Sequence, residues 1–172
     1  KSIYESWGMD EQIIKSGAYS EEQGLGVRTI LNEETSFAYA DNISETALND
    51  TIEKVLTTHE DYSKNLSEKL LFDATIYPEL YSSSNPLTSL SDDEKINLLK
   101  KMDLYARALD TRVEHVSLSL SGEYDIILVA ATDDTYEGDI RPLVRFNVSI
   151  TLKEGEVREK FSSGGGTRDG YE

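Results

Sequence analysis

Alternation of hydrophobic and polar residues marks both ends of the chain and predicts β-strands there. The first such region, residues 2–19, is rich in Ile, Tyr and Trp and contains two glycines that predict bends. Residues 25–31 and 35–40 then alternate on either side of a polar turn at 32–34. This pattern predicts a β-hairpin whose aromatic side chains share one face.

The middle of the chain has helical spacing instead. Polar residues at 41–44 can cap a helix, and the apolar positions after them predict a helix over 45–58. Ser91 and Glu94 form the signature of a capping box and predict a second helix over 92–109. Its apolar stripe at i, i+4, i+7 and i+11 consists of Leu98, Met102, Tyr105 and Leu109, and Leu99 and Ala106 widen it. Between the helices, 59–91 predicts a short helix at most, then an irregular loop.

The last third of the chain returns to strand spacing. Apolar residues alternate with serines over 116–121, residues 125–131 are apolar on both faces like a central strand, and 133–139 predict an acidic turn. The longest alternation covers 144–153 and turns back at 154–156 into a last strand. These runs predict an α+β fold class, with antiparallel β-sheet packed against two main helices in the order β-hairpins, helices, β-meander.

The chain has 172 residues, 38% of them hydrophobic, which is enough for one shared core. No internal repeat occurs, so residues 1–172 are expected to form a single domain. The chain opens at Lys1 on a strand-like pattern without an initiator methionine, and it ends shortly after a glycine cluster. Both ends are therefore expected to be cut from a longer protein.

Charge limits the kinds of partner. The chain has 33 acidic and 17 basic side chains and a formal charge of −16, and a field of that sign repels phosphate backbones and anionic lipids. Direct nucleic-acid binding and membrane binding are therefore not expected. No apolar run reaches the roughly 20 residues of a membrane helix. Cysteine is absent, which favours a reducing compartment, and we expect a cytoplasmic protein.

Candidate metal ligands are few. Zinc hydrolysis needs two or three imidazoles or carboxylates that converge on the metal, plus a base that activates water. The chain has two histidines, His59 and His115. His59 and Glu60 resemble the start of a zinc-protease helix, but Ser63 and Lys64 stand where the second histidine would be. We therefore expect no metal ligand and no catalytic residue in this chain.

Three further clusters each have two interpretations. The acidic residues of 133–139 could hold calcium or keep a hairpin tip soluble. Glycines 164–166 could present amides to an anion or form a connector. Arg141 and Arg145 share a strand face, where they could bind carboxylates of a peptide or pair with neighbouring acids.

Eight short segments in one order, spread over nearly the whole chain, carry a family resemblance. They are 5–17 (ESWGMDEQIIKSG), 23–28 (QGLGVR), 37–41 (FAYAD), 118–122 (LSLSG), 129–133 (VAATD), 141–145 (RPLVR), 162–166 (SSGGG) and 170–172 (GYE). Together they resemble the N-terminal domain of TldD-type proteins of the TldD/PmbA family. That family consists of intracellular zinc metallopeptidases that trim or degrade unfolded peptides.

The resemblance implies that the catalytic site lies in a different domain from this chain. The family's zinc motif, His-Glu-x-x-x-His with a later cysteine, lies in the C-terminal domain, so zinc is implied for the full-length protein and no cofactor for this chain. The resemblance also implies pairing with a PmbA (TldE) relative or a homodimer, roles in microcin maturation, and the older description as modulators of DNA gyrase.

The leading hypothesis is therefore a non-catalytic scaffold that walls the substrate chamber of a zinc peptidase. The alternative is a standalone module that captures extended peptides at a sheet edge, which the long alternation over 144–153 suggests, with an association with DNA gyrase as a further option. In either case, the candidate peptide-facing or partner-facing residues are Arg28, Arg141 and Arg145.

Overall fold

The computed structural model describes residues 1–57 and 80–171. The predicted α+β class is confirmed, with two helices and mostly antiparallel sheet. In chain order the elements are β1 (Ser2–Asp10), β2 (Ile13–Glu22), β3 (Leu25–Leu31), β4 (Glu34–Ala40), α1 (Glu45–Leu56), a 3₁₀ turn (Pro86–Thr88), α2 (Asp92–Leu109), β5 (Val113–Ala130), β6 (Tyr136–Glu154) and β7 (Val157–Thr167).

Five strands form one sheet in the order β2-β1-β5-β6-β7. β1 pairs with β5 in antiparallel register from Ser2 opposite Asp125 to Asp10 opposite Ser117. β6 and β7 are likewise antiparallel over the whole length of β7. The last three strands are the predicted meander, although β5 and β6 are each one long strand where the sequence suggested shorter segments.

The tight turns explain the hairpins. Glu11 and Gln12 connect β1 to β2 with φ of 50° and 64°, which is the left-handed pair that matches the twist of a two-residue hairpin. The bends predicted at Gly8 and Gly17 are wrong, because both glycines lie inside strands. Gly8 instead allows close packing, since a Cβ there would collide with the Ser16 hydroxyl.

Helix α2 has the predicted bounds because its capping box forms. Ser91 Oγ accepts from the Glu94 amide over 3.4 Å, and the Glu94 carboxylate accepts from the Ser91 amide over 2.8 Å. The helix packs on the five-stranded sheet through Leu99 and Ala106. Their buried neighbours from the strands are Met9, Val116, Leu118, Leu120 and Val144.

Only part of the apolar stripe that identified α2 is buried, namely Leu99 and Ala106. Tyr105 and Leu109 are 63% and 67% exposed, whereas Lys95 and Asp103 are 2% and 0% exposed. Lys95 and Asp103 can be buried because each forms an ion pair with an oppositely charged residue. Lys95 pairs with Glu5, and Asp103 pairs with Arg107. Helical spacing therefore located the helix correctly, but chemistry between elements decides which face is inside.

The chain divides into two compact units. Of the described residues, the first unit contains residue 1, 22–57 and 128–137, and the second contains 2–21, 80–127 and 138–171. The first unit holds the β3–β4 hairpin and α1, which pack together. The second holds α2 and the five-stranded sheet, except for the β5–β6 tip.

Ser44 is the N-cap of helix α1, and its Oγ accepts from the Ala47 amide over 3.2 Å. The helix ends at Leu56, two residues before the predicted end. Phe37 and Tyr39 share a face of β4 as predicted, but that face is exposed. The expected short helix and loop of 59–91 fall mostly outside the described residues. Within the described ranges, no helix has both the length and the apolar character to span a membrane.

Candidate functional site

A buried ion pair joins β1, α2 and the end of the described chain. Lys95 Nζ lies 2.8 and 3.0 Å from the two carboxylate oxygens of Glu5, which is 6% exposed. The Tyr171 hydroxyl donates to Glu5 Oε1 over 2.7 Å, and Lys95 Nζ lies 5.5 Å from the Tyr171 ring centre. Burial, and next the Glu5 carboxylate, raise the pKa of Tyr171, so the phenol keeps its proton and continues to donate.

Two glycines make room for this Glu5–Lys95–Tyr171 cluster. A Cβ on Gly122 would collide with the Tyr171 hydroxyl and with Leu87. A Cβ on Gly170 would lie 2.7 Å from Cβ of Ser89, whose Oγ accepts from the Tyr171 amide over 3.0 Å. The cluster therefore anchors the segment after β7 to the core. Sequence analysis missed it, since Glu5 and Lys95 are 90 positions apart.

The outer strand β7 presents an open edge. It is the last strand in the sheet order, and all 11 of its residues are exposed. Gly164 and Gly166 lie opposite Asn147 and Arg145 on β6. A Cβ on Gly166 would lie 3.1 Å from Cγ of Arg145, and one on Gly164 would lie 2.5 Å from Oδ1 of Asn147. Both β6 side chains therefore lie across β7, where the glycines leave space for them.

We call these four residues, Asn147, Arg145, Gly164 and Gly166, the glycine edge. An outer strand offers backbone N–H and C=O groups to an added extended chain, and glycine lets another backbone approach closely. The Arg145 guanidinium beside it has the fork geometry that suits a carboxylate. The arrangement can bind a polypeptide through its main chain, with little dependence on sequence.

The three predicted arginines lie in different settings. Arg141 and Arg145 lie on β6, and Arg141 Nε donates to Asp139 Oδ2 over 2.6 Å, so a neighbouring acid already binds it. Arg145 is exposed beside Gly166. Arg28 is exposed on β3, opposite Phe37, in the other compact unit. Of the three, the structure therefore brings Arg145 to the glycine edge.

The histidines and the acidic tip have no metal-site geometry in the described ranges. His115 Nε2 lies 2.8 Å from Asp10 Oδ1, and both side chains are about 40% exposed. His59 lies outside the described residues. The hydroxyl of Thr135 lowers the pKa of Asp133, which also accepts from the Thr135 amide over 3.2 Å. Among residues 1–57 and 80–171, no three His, Cys, Asp or Glu side chains are grouped to hold a metal ion.

The fold and its open edge place the chain among α+β proteins built on an antiparallel meander. The family model for the PmbA/TldA metallopeptidase central domain matches residues 85–172, and the model for PmbA/TldA metallopeptidase domain 1 matches residues 1–58. The chain belongs to the PmbA/TldD metallopeptidase family.

Curated relatives agree with the family models. The chain is 42% identical over 173 residues to the "Metalloprotease TldD homolog" of Buchnera aphidicola subsp. Acyrthosiphon pisum. It is 41% identical over 168 residues to the protein of that name in Haemophilus influenzae. Both alignments cover 98% of this chain and 35% of the relative. The chain therefore spans about a third of the length of these relatives.

Solved structures share the fold at low sequence identity. A proposed modulator of DNA gyrase from Bacteroides thetaiotaomicron has a TM-score of 0.69 at 17% identity, over 98% of this chain and 39% of that one. A second proposed gyrase modulator, from Thermotoga maritima, has a TM-score of 0.73 at 12% identity, over 98% and 38%. TldE from Thermococcus kodakarensis has a TM-score of 0.63 at 17% identity, over 98% and 39%.

Proposed function

We propose that this chain is the non-catalytic scaffold that walls the substrate chamber of a zinc-dependent metallopeptidase acting on unfolded peptides. Residues 1–172 serve as its single N-terminal domain. Family membership and the name of the curated relatives support a peptidase. The observation that carries the scaffold role is the glycine edge, because an unfolded peptide can be bound there through its backbone whatever its sequence.

The work of this chain is binding and orientation. Main-chain pairing on β7 would hold a peptide extended, and Arg145 would attract its carboxylates. Zinc, when bound to the whole enzyme, would supply activated water. The described residues of this chain do not fit a zinc ligand set, so no step here uses the metal. The Glu5–Lys95–Tyr171 cluster would hold the segment that follows β7 against the core.

The partner of this scaffold is a PmbA/TldE-like subunit or a second copy of the same protein. The similarity of the fold to TldE from Thermococcus kodakarensis is consistent with subunits built on one plan. Maturation of microcin-type peptides in the cytoplasm is the physiological setting that the resemblance suggests. The proposal includes no binding of nucleic acid, because the net charge of −16 repels the phosphate backbone.

A standalone peptide-binding module is the second candidate. The alternation that suggested it, 144–153, lies in β6, which is between β5 and β7, and this segment is paired with β7 along its whole length. The exposed length of β7 now supports the same idea from a different strand. This candidate predicts that the natural polypeptide that contains this chain binds peptides and does not hydrolyse them. The partner would then be a protein, as the structural similarity to proposed gyrase modulators suggests.

Two measurements test the proposal. The natural polypeptide that contains this sequence should bind one zinc ion and cleave unfolded but not folded proteins, and absence of cleavage would favour the standalone module. Separately, an unstructured peptide added to the 172-residue chain should shift the backbone amide NMR signals of 162–167. Shifts confined to other strands, or none, would rule out the glycine edge.

A further inference from the structure

A cleft with a cavity volume of about 760 Å³ lies in the second compact unit, on the sheet face beneath the start of α2. Its apolar wall comes from β1, β2 and the 3₁₀ region. The residues are Ile3, Trp7, Gly17, Ala18, Tyr19, Leu87 and Leu90. This volume falls within the range of about 300 to 1,000 Å³ that is usual for ligand sites. The open cleft is separate from the glycine edge, since β2 and β7 are opposite ends of the sheet order.

Except for Trp7 Nε1, which is buried and has no partner among the described residues, the polar groups of the cleft are bound within the chain. Both oxygens of Glu5 bind Lys95, and one of them also binds Tyr171. The Asn85 side chain accepts from the Leu87 amide over 3.0 Å, and Ser91 is engaged in the capping box. A charged ligand would therefore have to compete with these pairs, whereas an uncharged apolar group would gain from the wall.

We propose that this cleft is a subsite that accepts one uncharged apolar side chain, aliphatic or aromatic, of a bound polypeptide. The inference rests on the proposed peptide-binding function and adds a preference to it. The glycine edge holds the backbone without regard to sequence, and the cleft selects for an apolar residue elsewhere along the peptide. Substrates with regularly spaced apolar residues, which unfolded proteins have, would then be favoured over uniformly polar chains.

The sole tryptophan of the chain makes the test direct. Trp7 lines the cleft, so its fluorescence reports occupancy with no contribution from other indoles. The probe is the capped pentapeptide acetyl-Gly-Ser-Phe-Ser-Gly-amide, titrated into the 172-residue chain. Three comparison peptides carry Ala, Asp or Lys in place of Phe. We expect a saturable change in Trp7 emission, with the Phe peptide binding about tenfold more tightly than the Ala peptide, which corresponds to about 1.4 kcal/mol.

A matched pair of variants identifies the site. Tyr19→Ser removes part of the wall, and Tyr39→Ser removes another largely exposed tyrosine, which belongs to the other compact unit. Tyr19→Ser should weaken binding of the Phe peptide at least threefold, and Tyr39→Ser should leave it unchanged. No emission change with any peptide, or preference for the Asp or Lys peptide, would overturn the subsite. Because binding at the glycine edge is followed separately by the NMR signals of 162–167, loss of one result does not imply loss of the other.

Discussion

At the residue scale, Gly122 is the position where one added carbon has the most defined effect. The Tyr171 hydroxyl and Leu87 occupy the space that a Cβ on Gly122 would need. We predict that Gly122→Ala lowers the free energy of unfolding by about 1 to 3 kcal/mol, because the tyrosine must leave its place on Glu5. Urea unfolding measures this difference.

The control is another strand glycine with open space around it. A Cβ on Gly165 would have no heavy atom within 4 Å, and its φ is not positive. Gly165→Ala should therefore change stability by less than about 0.5 kcal/mol. If the two substitutions have equal effects, the packing of Tyr171 against Gly122 is not what stabilises this region.

The buried ion pair predicts strong coupling between its partners. Lys95→Met would leave the Glu5 carboxylate buried without its cation, and we expect a loss of about 3 to 5 kcal/mol. Glu5→Gln retains an acceptor for Tyr171 and removes the charge. The double variant should therefore be more stable than the sum of the two single losses predicts, which a double-mutant cycle measures. Additive losses would mean that Lys95 and Glu5 do not depend on each other.

At the element scale, Glu11 ties the β1–β2 turn to two other elements. Its carboxylate accepts from the Val116 amide on β5 over 2.9 Å and from Arg107 on α2 over 2.7 Å. The Val116 amide, and next Arg107, lower the pKa of Glu11 below its usual 4.5. Because the pKa is lower in the folded state, the contact stabilises the fold above about pH 4.5 and is lost as the pH falls further.

Glu11→Gln should therefore flatten the acid side of the stability curve. We predict that the free energy of unfolding of the variant falls less steeply than that of the parent chain as the pH is lowered from about 5 to 3. Glu156→Gln, in the exposed β6–β7 turn, is the control and should leave the slope unchanged. Parallel curves for Glu11→Gln and the parent chain would exclude this contact as a source of acid sensitivity.

The elements also explain what sequence could predict and what it could not. The capping box of α2 is local, because Ser91 and Glu94 are three residues apart, so the helix bounds were predicted correctly. The buried face of α2 depends on Glu5, 90 residues from Lys95, and no local pattern contains that pairing. Similarly, glycines 164–166 marked a special segment, but only the register of β6 with β7 places Arg145 and Asn147 across it.

At the scale of the whole molecule, charge separates protein partners from nucleic acid. The 33 acidic side chains exceed the 17 basic ones by 16, and several ion pairs of arginine lie on partly exposed side chains, such as Arg112 with Glu154 and Arg158 with Glu114. Exposed pairs neutralise some basic side chains locally, and the net charge of the chain is strongly negative. Repulsion of phosphates should therefore be the dominant long-range interaction with DNA.

We predict that the chain passes through a DNA-cellulose column at about 150 mM salt without retention, because its net charge of −16 repels the phosphates of the duplex. A charge-reversed control separates charge from shape: replacing exposed acids of the β5–β6 tip, such as Asp134→Lys and Glu137→Lys, should increase retention only at low salt.

Retention of the parent chain at 150 mM, lost in Arg145→Glu, would instead identify the glycine edge as a phosphate-binding surface and exclude the peptide scaffold as its sole role. The same column run at about 20 mM salt strengthens the test, since repulsion is screened least there and the parent chain should elute even earlier relative to a neutral marker.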